Sequence, residues 1–129
     1  MTYSVLIVDD DPELRAMYRM ILERRGYVVD EAANGAEALR LLLNQTPDVI
    51  VLDILMPMLG GEAVLQRIRQ MPALRDTRVL VLTAYPRFRD TASLDHVDRF
   101  LVKPVLPRDL VTAIGEMVSP NGSLPEPLL

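Results

Sequence analysis

The 129-residue sequence predicts an α/β domain, a doubly wound sheet of five parallel strands with helices on both faces. Three observations predict it. Short apolar runs rich in β-branched residues recur along the chain, the mark of strands covered on both sides. Between them lie apolar stripes at helical spacing. The two patterns alternate over residues 5–118, and this length fits one domain of common size.

Val5-Leu6-Ile7-Val8 is the first strand. Leu14, Met17, Tyr18, Ile21 and Leu22 then mark one face of a helix, which closes at Arg24-Arg25-Gly26 with cations in the last turn and a capping glycine. Residues 27–31 read as the second strand. Asn34 caps the second helix, Glu37 completes a capping-box pattern, Leu39, Leu42 and Leu43 form the buried stripe, and Pro47 ends it. Val49-Ile50-Val51-Leu52 is the third strand, followed by a helix marked by Val64, Leu65 and Ile68. Val79-Leu80-Val81-Leu82 is the fourth strand and Phe100-Leu101-Val102 the fifth. Residues 87–95 offer only Phe88, Ala92 and Leu94 as anchors for a fourth helix. Leu110, Val111, Ile114, Met117 and Val118 are the stripe of the last helix. Five strand–helix units of this size predict the flavodoxin-like strand order 2-1-3-4-5. The expected domain spans residues 1–118, and the Pro- and Gly-containing segment 119–129 reads as a tail or linker.

Composition narrows the function. Hydrophobic residues make up 50% and charged residues 25%, the balance of a soluble globular protein. Cysteine is absent, which excludes disulfides and thiolate metal sites. No apolar run reaches the ~18 residues of a membrane span, so a cytoplasmic location with no membrane partner is expected. The net charge is −4 and the cations are dispersed, which argues against direct nucleic-acid binding.

In sheets of this kind ligands bind beyond the carboxyl ends of the strands, where strand order reverses. Strand one ends in Asp9-Asp10, strand three in Asp53, strand four in Thr83 and strand five in Lys103. Three carboxylates, a hydroxyl and an ammonium therefore converge on one rim. Asp11 has another use, because Asp before Pro12 is a common helix start. Asp9, Asp10 and Asp53 repel one another unless a cation sits among them, and oxygen donors without His or Cys select Mg²⁺, Mn²⁺ or Ca²⁺.

With those residues in view, the sequence resembles the response-regulator receiver domains of two-component signalling. The resemblance covers residues 3–118 and rests on Asp9-Asp10, on "DILMPMLGG" carrying Asp53, on Thr83-Ala84 and on Lys103-Pro104, all in register on strand ends. It implies that Asp53 accepts a phosphoryl group from the phosphohistidine of a sensor histidine kinase or a phosphotransfer protein. It implies Mg²⁺, with Mn²⁺ as the alternative, held by Asp10, Asp53 and the backbone carbonyl of Leu55, with Asp9 acting through water. Lys103 then partners the phosphoryl oxygens, Thr83 donates a hydrogen bond to one of them, and the Lys103–Pro104 bond is cis. Phe100 stands where receivers carry a switch aromatic, and its other reading is a core strand residue. Such a domain turns over no metabolite; it switches an output domain or a homodimer partner.

Some positions depart from the family pattern. Thr83 and Lys103 are 20 positions apart, a short interval that predicts a short or irregular fourth helix. Leu55 and Tyr85, with Ala84, would flank the phosphoryl group, and the two larger side chains would hinder attacking water and lengthen its lifetime. Gly60 and Gly61 suggest a flexible start to the third helix. His96, the lone histidine, reads as an exposed polar residue. Two other functions compete. One is a docking module that works without phosphate; the other is an aspartyl-phosphate phosphatase, which would need a proton donor where Leu55 stands.

Overall fold

The computed structural model describes residues 2–54, 60–84 and 97–119. Five parallel strands stand in the order β2-β1-β3-β4-β5. They are β1 (Ser4–Val8), β2 (Val28–Ala32), β3 (Val49–Asp53), β4 (Arg78–Thr83) and β5 (Arg99–Val102). The helices are α1 (Pro12–Glu23), α2 (Gly35–Leu42), α3 (Gly61–Arg69) and α4 (Pro107–Val118). The expected fold class and strand order are those observed.

Alternation along each strand divides the core into two layers. Leu6, Val8, Ile50, Leu52, Val79 and Val81 face Ala38 and Leu42 of α2 and Val64, Leu65 and Ile68 of α3. Val5, Ile7, Val49, Val51, Leu80 and Leu82 face Tyr18 and Leu22 of α1 and Leu110, Ala113 and Ile114 of α4. Every residue of β3 is buried, as its apolar run requires.

Helix ends follow local chemistry. Asp11 accepts from the N–H groups of Glu13 and Leu14 at 2.9 and 3.3 Å, so the third acid of the opening run holds a helix. Asn34 Oδ1 accepts from Glu37 N–H at 2.8 Å, and Glu37 Oε1 accepts from Ala33 N–H at 3.4 Å. Two expectations need correction. Helix α1 stops at Glu23, so Arg24 and Arg25 lie past its last turn; Gly26, with φ of 91°, makes the reversal into β2. Helix α2 stops at Leu42, ahead of Pro47, and Leu43 beyond it is 72% exposed rather than part of the stripe. At Gly61 a Cβ would lie 2.6 Å from Ile54 Cα and 2.8 Å from the Asp53 carbonyl oxygen, so the glycine permits a close approach. The missing side chain lets α3 start against the end of β3, where Gly61 N–H donates to the Ile54 carbonyl at 3.1 Å.

The expected fourth helix, with His96, and the tail from residue 120 lie outside the described residues. Among the described residues no helix is long and apolar enough to cross a membrane.

Candidate functional site

Strand register sets the height of the rim. Val8 pairs with Leu52 across β1 and β3, so Asp9 and Asp53 follow at the same level. Thr83 pairs with Val102, which brings Lys103 one step beyond, and Lys103 N–H donates to the Thr83 carbonyl at 2.8 Å. The carboxyl ends of four strands thus deliver Asp9, Asp53, Thr83 and Lys103 to one place.

Asp9, Asp53 and Thr83 are buried, at 1%, 5% and 1% exposure, whereas Asp10 faces solvent. One carboxylate oxygen from each of Asp9, Asp10 and Asp53 falls within 4.8 Å of the others. Lys103 Nζ stands 3.4 Å from Asp53 Oδ2 and 3.5 Å from Asp9 Oδ2. Burial alone would lower the Lys103 pKa, but Asp53 and then Asp9 outweigh it and hold the ammonium above the ordinary 10.5. Lys103 therefore stays charged throughout the physiological range.

Asp9 is held at several atoms. Its N–H donates to the Ala32 carbonyl at 3.2 Å, and its own carbonyl accepts from Arg15 Nη1 at 2.7 Å. Its Oδ1 accepts from Asp11 N–H at 2.9 Å. Its Oδ2 is buried and has no hydrogen-bond partner. A buried carboxylate oxygen without a hydrogen bond is costly, and among the described residues one lysine ion-pairs within a cluster of three acids. Oxygen donors, an orphaned buried acceptor and clustered acids fit a hard divalent cation.

Other expected residues are placed as follows. Ala84 is exposed one step past Thr83. Phe100 pairs with Val81 and is half-buried against the layer that contains Ile54 and Val64. The Lys103–Pro104 peptide bond is cis. Leu55 and Tyr85 lie outside the described residues.

Three residues near the rim escaped the sequence reading. Gly61 shapes the backbone under Asp53, and its signal was the glycine pair opening a helix. Arg15 reaches the Asp9 carbonyl from the first turn of α1, a direction that follows from the tilt of helical side chains toward the helix start. Tyr18 read simply as core. Burial chiefly raises its phenol pKa, Lys103 opposes the rise, and Asp9 and Asp53 add to it, so its ring ends within electrostatic reach of the acids.

Comparison with known proteins adds to this geometry. Residues 5–115 match the family model of the response regulator receiver domain. An uncharacterized 14.6 kDa protein from the sodA1 3′ region of Leptolyngbya boryana is 37% identical over 115 residues, covering 88% of each chain. The transcriptional regulatory protein ResD of Bacillus subtilis strain 168 is 37% identical over 117 residues, 89% of this chain and 48% of that one. The present chain thus spans about half of ResD. Among solved structures, the response regulator protein TrrA of Thermotoga maritima in complex with Mg²⁺–BeF gives a TM-score of 0.83 at 32% identity, over 90% of this chain and 99% of that one. A second structure holds TrrA in complex with the histidine kinase ThkA, with a TM-score of 0.81 at 32% identity over 91% of this chain and 99% of TrrA.

Proposed function

The chain belongs to the response regulator receiver domain family, and from that premise we propose that Asp53 is the residue that accepts a phosphoryl group, in a Mg²⁺-dependent reaction. The observation that carries this reading is the pairing of Lys103 Nζ with Asp53 Oδ2 at 3.4 Å, inside an acid cluster whose Asp9 Oδ2 is buried without a hydrogen bond.

The donor is a phosphohistidine of a histidine kinase or phosphotransfer protein. A carboxylate oxygen of Asp53 attacks phosphorus, a P–O bond forms, the P–N bond breaks, and the departing imidazole keeps the electron pair. Asp9, Asp10, Asp53 and the Leu55 carbonyl would hold the cation; when bound, Mg²⁺ neutralises charge on the phosphoryl oxygens. Lys103 supplies fixed positive charge to the same oxygens, and its high pKa keeps it protonated for that task. Thr83 donates a hydrogen bond to the phosphoryl group, and Phe100 on the adjacent strand responds to its movement. Leu55 and Tyr85, with Ala84, would flank the group, and the two larger side chains would limit hydrolysis.

The product is a conformational signal to an output domain or homodimer partner, not a released metabolite. ThkA bound to TrrA supports a kinase as partner, and the regulators that extend well beyond the matched region support an attached output domain. The unit that acts is residues 1–118, in the cytoplasm, with 119–129 as tail or linker.

Acetyl phosphate with MgCl₂ should add one phosphoryl group to the intact protein by mass spectrometry. Asp53→Asn and chelation by EDTA should each abolish the addition. Full labelling of Asp53→Asn, or labelling that ignores EDTA, would overturn the assignment.

A further inference from the structure

We infer that Arg15 is a positioning residue for the acidic rim: from the first turn of α1 it holds the main chain of Asp9, the residue whose buried Oδ2 faces Lys103 without a hydrogen bond. The inference rests on the reading of Asp9, Asp10 and Asp53 as a divalent-cation site.

Arg15 spans two elements. Its Nη1 donates to the Asp9 carbonyl at 2.7 Å, while its Nε donates to Glu31 Oε1 on β2 at 3.1 Å. The side chain is only 16% exposed. Glu31 is steadied in turn by Arg19 Nη1 at 2.9 Å, and Arg19 also pairs with Glu23 at 3.4 Å. Hydrogen bonds from Arg19 outweigh the modest burial of Glu31, and together with those from Arg15 they hold its carboxyl below the ordinary 4.5, so the anchor is ionised at neutral pH. A planar guanidinium can serve a carboxylate and a carbonyl through different nitrogens at once; an ammonium offers no such fork.

The carbonyl so held belongs to the residue with the orphaned oxygen. With its N–H on Ala32, its carbonyl on Arg15 and its Oδ1 on Asp11, Asp9 has one oxygen left without a hydrogen bond. The held carbonyl belongs to the peptide that joins Asp9 to Asp10, so Arg15 restrains the main chain between two acids of the rim and toward Asp11, whose N–H holds Asp9 Oδ1. Groups that orient metal ligands from behind typically change metal affinity 10- to 100-fold when removed.

Charge and positioning predict opposite signs. An arginine that merely adds positive charge beside the acids competes with a divalent cation, so its removal tightens binding. An arginine that positions Asp9 weakens binding when it is removed. A MgCl₂ titration followed by the backbone amide shifts of Asp10, Asp11 and Ile54 separates the two. Wild type should saturate; Arg15→Met should bind on the order of tenfold more weakly; Arg15→Lys should recover part of the loss. Glu31→Gln, which keeps the guanidinium but loosens it, should weaken binding by a smaller factor and carries the test if Arg15→Met does not fold. Arg19→Gln, which leaves the Asp9 contact in place, should bind nearly as wild type. Unchanged or tighter binding in both Arg15→Met and Glu31→Gln overturns the inference, as does an equal loss in Arg19→Gln. Absence of any saturable shift in wild type overturns the cation site itself.

Discussion

The two ends of the sheet use the same residue types in opposite ways. At the amino end, acids complete the fold. Asp48, just before β3, accepts from Ser4 N–H at 2.8 Å and Ser4 Oγ at 3.3 Å. Asp98, just before β5, accepts from Val79 N–H at 2.7 Å and Arg69 Nη2 at 3.2 Å, with Arg78 Nη1 at 3.6 Å. Thr77 donates to the Pro47 carbonyl at 2.8 Å. At the carboxyl end, Asp9 and Asp53 face one another and share Lys103. The acids of the first set accept from main-chain N–H groups of neighbouring strands, and Thr77 donates to a main-chain carbonyl. The second leaves Asp9 Oδ2 without a hydrogen bond and gathers three acids. Stability and function are thus separated by about the length of a strand.

Substitution at each end should break or sharpen that contrast. The largest effect belongs to Asp98→Ala, which leaves Val79 N–H without its side-chain acceptor and removes the carboxylate that faces Arg69 and Arg78. It should lower the unfolding free energy by about 2–3 kcal/mol in urea titrations while leaving Mg²⁺ binding intact. Asp9→Asn keeps an acceptor for Asp11 N–H and relieves repulsion, so without metal it should change stability by less than about 1 kcal/mol. Its Mg²⁺ response should nevertheless disappear from the amide spectrum. A cost for Asp9→Asn equal to that of Asp98→Ala would erase the distinction between the ends. The smallest effect concerns pH. Because the folded Lys103 pKa lies above 10.5, its contribution to stability is complete below pH 10.5 and is lost as pH rises through the folded value. Lys103→Met should remove that alkaline segment from the stability–pH curve.

Much of the fold was legible because each central strand is a continuous apolar run, and continuity of that kind belongs to a covered parallel sheet. Strand ends then placed Asp9, Asp53, Thr83 and Lys103 together without knowledge of any distance. Less legible were features that depend on approach rather than pattern. Gly61 read as flexible because a glycine pair has no side chain to report; its role comes from Ile54 Cα lying 2.6 Å from where a Cβ would stand. Leu43 read as buried because periodicity cannot say that a helix stops one residue earlier. Arg15 drew no reading at all, since nothing in residue order shows a side chain turning back toward a carbonyl six positions before it.

The dispersal of the rim along the chain carries a consequence for assembly. Asp9, Asp53, Thr83 and Lys103 come from four strand ends, so no single strand contains the whole cluster. Whatever binds there binds the finished sheet alone and draws the population toward it, by about 2.7 kcal/mol at a hundredfold excess over the dissociation constant. Affinity at this rim is therefore conditional on a completed sheet.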